Sequence, residues 1–168
     1  PQVSKPFLSL RTMTNEKVSR ALADLLTLNH TSQEGYETAA EQVSDARVKS
    51  QLSQFAQQRA QFASTLEGYG SRLGIAAEKP STVEAVATEA AAAVHRGWIN
   101  LKSLVTGGQA TTDAVLEACE TGEATALKAY ETALGVEGLP QDLKSVLTQQ
   151  HGQILQAKNQ VTALKSGS

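Results

Sequence analysis

Long stretches of this chain repeat apolar residues at alternating spacings of four and three, and that period limits what it can fold into. Val18, Leu22, Leu25, Asn29, Ser32, Tyr36, Ala39 and Val43 form one such seam. Val48, Leu52, Phe55, Arg59, Phe62, Leu66, Tyr69 and Leu73 form a second, and Val115, Cys119, Gly122, Ala126, Ala129 and Ala133 a third. The period is that of an α-helix with one buried face, and it excludes the strict alternation of a half-buried strand. It predicts helices over about 15–43, 46–73 and 112–134. A fourth, over about 141–165, opens at Pro140, a residue suited to a first helical turn. At ~1.5 Å per residue such helices are about 40 Å long, the scale of a four-helix bundle.

The connections set the topology. Ser44 and Asp45 leave room only for a tight turn and an N-cap, so the first two helices are antiparallel neighbours. The breaks from Gly135 to Pro140 make the last two helices antiparallel as well. Between the hairpins lie more than thirty residues, in which Ser81-Thr82-Val83-Glu84 reads as a capping box for a crossover helix over about 82–105 that ends at Gly107 and Gly108. The expectation is therefore all-α: two antiparallel hairpins joined by a long crossover that contains an extra helix. Residues 15–165 form one domain, with residues 1–14 and 166–168 as tails.

Composition narrows the function. The formal net charge is −2 with both signs interspersed, which argues against nucleic acid or an anionic membrane as partner. No apolar run approaches the roughly 20 residues of a membrane span, and residues 1–13 do not read as a signal peptide. With a single cysteine, Cys119, no intramolecular disulfide can form, and a cytoplasmic location is expected. Cys119 reads as a small seam residue, since no base accompanies it in the sequence. No phosphate loop or Ser/His/Asp arrangement is visible; the Gly107-Gly108 turn lacks the strand, spacing and lysine of such a loop.

Arg59 interrupts the second seam, and an arginine there either snorkels out or faces a partner inside. The two hairpins also resemble each other. Gln58-Arg59-Ala60-Gln61 in the second helix and Gln150-His151-Gly152-Gln153 in the fourth are both Q-x-x-Q, at nearly the spacing that lays Gln33 over Glu123. Two hairpins with one long crossover is the connectivity of ferritin-like bundles. The stretches QRAQFA (58–63), HRGWINLK (95–102) and CETGEATALKAYETAL (119–134) resemble one bacterial branch of that superfamily, a ferritin-like domain of unknown function found in small stand-alone proteins.

What the resemblance implies is a pair of metals held by a Glu on the first and third helices and a Glu-x-x-His on the second and fourth. Carried onto this chain, those positions become Gln33, Gln58, Gln61, Glu123, Gln150 and Gln153. Only Glu123 is a carboxylate. Neutral amides are poor ligands for iron, manganese or zinc, so the oxidase chemistry of the superfamily is not expected. A core polar layer of Asn29, Gln33, Arg59, Glu123 and Gln150 is expected instead. In it Arg59 pairs with Glu123, while Asn29, Gln33 and Gln150 take up its remaining N–H donors.

Three readings stay open. The first is a non-catalytic bundle with a structural or interaction role, stress-associated as the branch resemblance suggests, whose partner is another protein or a second copy of itself. The second is a metal-binding protein or oxidoreductase with a reduced site of His30, Glu34, Glu120 and Glu123 holding zinc, manganese or iron. The third is a small-molecule binder that uses the polar core. The solvated helix face is the plainer reading of Glu34, Glu37 and Glu41. His95, Arg96, Trp98 and Asn100 are expected to anchor the crossover to the bundle through Trp98, or alternatively to form a binding site.

Overall fold

The computed structural model describes residues 4–74, 96, 98, 101, 103, 108 and 111–165, with side chains from Glu16 onward. Four helices make up the described chain: α1 (Ser4–Gln42), α2 (Ala46–Arg72), α3 (Thr112–Leu134) and α4 (Gln141–Leu164). α1 packs along α2, and α3 along α4, giving two antiparallel hairpins. Between hairpins, α1 lies against α3 far more extensively than α2 lies against α4. Of the crossover helix expected over 82–105, only residues 96, 98, 101 and 103 are among those described, and the rest lies outside them.

Local chemistry accounts for the helix ends. The Asp45 carboxylate accepts from the backbone N–H groups of Arg47 and Val48, which satisfies two of the free donors at the start of α2. The Thr111 hydroxyl does the same for Ala114 at the start of α3. Past the end of α2, Gly74 takes φ +70°, the left-handed conformation that glycine adopts without strain. Gly138 does so in the turn between α3 and α4, at φ +83°. α1 begins at Ser4 rather than near Asn15. Pro6 falls in its first turn, where a missing N–H removes no helical hydrogen bond.

The core sits on the seams. All the α1 seam residues from Val18 to Val43 are buried, including Asn29 and Ser32. In α2 the seam is buried through Leu66; Tyr69 is partly buried and Leu73, just past the helix end, is exposed. The α3 seam is buried throughout, and on α4 Leu143, Leu147, Gln150, Ile154, Ala157 and Val161 line the inner face. No helix among the described residues is long and apolar enough to cross a membrane.

Candidate functional site

Polar residues interrupt the core at mid-height, and they fall into two hydrogen-bonded sets. The first joins α2 to α3. Arg59 Nη1 donates to Glu123 Oε1 at 2.8 Å, and Nη2 donates to Oε2 at 2.5 Å. Both side chains are fully buried. This is the two-pronged geometry that a guanidinium and a carboxylate adopt when both lie flat and parallel. The guanidinium carbon lies 5.7 Å from the Tyr36 ring centre and 5.7 Å from that of Phe62, so aromatic faces from α1 and α2 flank the charge.

The second set runs across three helices. Asn29 Nδ2 on α1 donates to the Leu25 carbonyl and to the Tyr130 hydroxyl on α3, each at 2.8 Å. That hydroxyl donates onward to Gln150 Oε1 on α4 at 2.7 Å. One phenol thereby ties the two hairpins together at the level where the ion pair also crosses between them.

The electrostatics follow from burial and from the pair. Burial, the largest single influence, would depress the pKa of Arg59, but the charge and hydrogen bonds of Glu123 together with the neighbouring Tyr36 and Tyr130 outweigh it and hold the guanidinium above its ordinary value. Burial raises the Tyr36 phenol well above 10, and the neighbouring Glu123 charge adds to this. The Tyr36 hydroxyl nonetheless makes no hydrogen bond of ordinary geometry. Tyr130 is pushed up to about 12, mainly by burial. The Cys119 thiol is raised by burial and then by Glu123, which makes it a poor source of thiolate.

The expected layer is corrected in two respects. Gln33 is not in it: it is half-buried and donates to Glu37 at 3.0 Å on the outer side of α1. Ser32, one residue earlier and on the seam, is the buried neighbour. Nor do Asn29 and Gln150 satisfy Arg59. They bond to Tyr130, and the Arg59 Nε–H points to Gln58 Oε1 at 3.4 Å. Of the other amide positions, Gln61 is exposed and Gln153 half-buried.

The alternative metal set is not assembled. His30 is exposed and lies 3.8 Å from Glu67 of α2. Glu34 is exposed. Glu120 accepts from Lys165 Nζ at 2.6 Å and from the Thr162 hydroxyl at 2.5 Å, fastening the end of α4 to α3. Partial burial pushes the Glu120 carboxyl up, but these two donors outweigh it and hold it below its ordinary range. Among the described residues, no group of three or more His, Cys, Asp or Glu side chains is placed to hold a metal ion.

Of the crossover cluster, His95 and Asn100 lie outside the described residues, and Arg96 is exposed. Trp98 is buried, its ring edge-on to Tyr36 with centres 5.1 Å apart and planes at 63°. The indole lies against Gly35 of α1 and Gly122 of α3. Sequence reasoning missed Tyr36 and Tyr130 as members of the layer and missed the role of Gly35. A signal existed for Gly35: a glycine inside a helix is worse than alanine by ~1 kcal/mol, so it often marks a close approach.

Residues 17–135 match the family described as a domain of unknown function (DUF2383), and the chain belongs to that family. No curated protein matches it.

Proposed function

We propose that this DUF2383 member is a non-catalytic bundle of the ferritin-like kind, with an ion pair where the superfamily holds metals. Its role is structural or interactive, and its partner is a protein, either a second copy of the chain or a different one. The observation that carries this reading is the Arg59–Glu123 pair. Both carboxylate oxygens of Glu123 are engaged by a guanidinium that cannot shed its proton.

The residues do not fit a di-metal centre. Such a centre needs several anionic oxygens or imidazoles, and here one carboxylate is already neutralised while the remaining positions are amides. A cation placed beside Glu123 would also face the buried charge of Arg59. The layer instead suits a register-setting role. Polar groups buried in an otherwise apolar bundle penalise packings that leave them unpaired.

Elemental analysis tests this reading, on untagged protein incubated with iron, manganese and zinc in turn and then desalted. The expected result is no stoichiometric metal and a melting temperature that chelator leaves unchanged. Stoichiometric metal that is lost in Glu123→Ala would overturn the proposal and favour a metal-binding protein. Sedimentation across a range of concentrations, run in parallel, reads self-association directly.

A further inference from the structure

The contact between Trp98 and the two glycines is built like a ligand site. A Cβ on Gly122 would sit 2.7 Å from the indole carbon Cε2, 2.8 Å from Cζ2 and 2.9 Å from Nε1. A Cβ on Gly35 would collide with the opposite edge of the same ring, at Cε3, Cδ2 and Cζ3. The ring thus occupies space that side chains on α1 and α3 would otherwise fill, at the contact that joins the two hairpins. Tyr36 closes the slot edge-on. Gly68 and Gly152, on the outer faces of α2 and α4, meet nothing within 4 Å of a built Cβ, in contrast to Gly35 and Gly122.

Trp98 itself belongs to the connection between α2 and α3 rather than to either hairpin. We infer that the Gly35–Gly122 slot is a binding site for a planar bicyclic aromatic ring, filled in this protein by its own Trp98. The chemical class follows from the shape. Two glycine backbones and a tyrosine edge leave room for a flat, rigid, mainly apolar group of indole size, recognised by packing and edge-to-face contact.

The test uses Trp98→Gly, with indole as the added ligand, followed by calorimetry and thermal melting. Indole is expected to bind the variant saturably and to raise its melting temperature towards that of the wild type, while leaving the wild type unmoved. Adding Gly122→Ala to the variant should weaken indole about tenfold or more, because a methyl group then intrudes on the filled slot. A folded Trp98→Gly protein that does not bind indole up to its solubility limit would overturn the inference. So would binding that ignores Gly122→Ala.

If Trp98→Gly does not fold, Gly122→Ala in the full-length wild-type chain decides. Trp98 is the only tryptophan, so its fluorescence reports on the slot alone. A red-shifted emission and increased quenching by acrylamide, at unchanged helix content, support the slot. An emission identical to wild type refutes it.

Discussion

Replacing Arg59 with methionine interrogates the buried pair most directly. Methionine keeps much of the length and flexibility of the side chain but removes the charge and every donor. Arg59 and Glu123 are both fully buried, so water screens neither charge. Removing one partner of such a pair costs ~3–5 kcal/mol, because the other charge is stranded, whereas replacing both by apolar groups of similar volume is often neutral or stabilising. In a chain of this length ~1 kcal/mol shifts the melting temperature by ~2–4 °C, so Arg59→Met should lower it by ~6–20 °C. Glu123→Leu should cost at least as much, since the guanidinium it strands cannot neutralise itself by losing a proton. The double variant Arg59→Met/Glu123→Leu should recover most of the loss. Urea titrations of the four proteins, followed by far-UV circular dichroism, give the coupling energy, expected at ~2 kcal/mol or more for groups in direct contact. An Arg59→Met protein that melts within ~1 °C of wild type would refute the reasoning, because that is less than ~1 kcal/mol. So would a double variant no more stable than the weaker single one.

Glycine substitutions should divide by position. Gly35→Ala and Gly122→Ala are expected to lose ~1–3 kcal/mol by overpacking against Trp98, whereas Gly68→Ala and Gly152→Ala gain ~0.5–1 kcal/mol from helix propensity alone; urea midpoints of the four variants check the split. Tyr130→Phe removes the hydroxyl that joins Asn29 to Gln150 and leaves both amides short of a partner. It should cost ~2 kcal/mol, read from the same titration, and a loss under ~0.5 kcal/mol would contradict the bridge. Stability should also decline in alkali. Tyr36 and Tyr130 hold protons in the folded state that the unfolded chain releases above ~10. Their contribution is thus complete below ~10 and is lost as pH rises through the folded value, about 12 for Tyr130. Melting temperature against pH checks this, and Tyr130→Phe should flatten the alkaline slope.

What could be read from the sequence, and what could not, divides along a physical line. A helical period is a property of one segment, so the seams of α1, α2 and α3 and the caps at Asp45 and Thr111 are legible without knowing any neighbour. Arg59 is legible for the same reason, since Phe55 and Phe62 on either side locate its face. Adjacent residues on a helix point about 100° apart, so the choice between Ser32 and Gln33 depends on which criterion is trusted. The seam favoured Ser32, and the superposition of hairpins favoured Gln33; the seam is the direct physical constraint, and Ser32 is the buried one. Pairings between helices are harder to read, because they depend on axial stagger. Asn29 reaches Tyr130 rather than Arg59 because of where α1 stops against α3, which no single-helix pattern records. The ion pair bears on that same unrecorded variable. Sliding one hairpin by a helical turn, ~5.4 Å, would part Arg59 from Glu123 and Tyr130 from Asn29 at once, while Gln150, on the same hairpin as Tyr130, would move with it. Apolar seams tolerate such a slide because leucine packs on leucine in either register. The buried polar layer does not, and stagger is therefore the property of this fold most directly determined by residues that are unfavourable to bury alone.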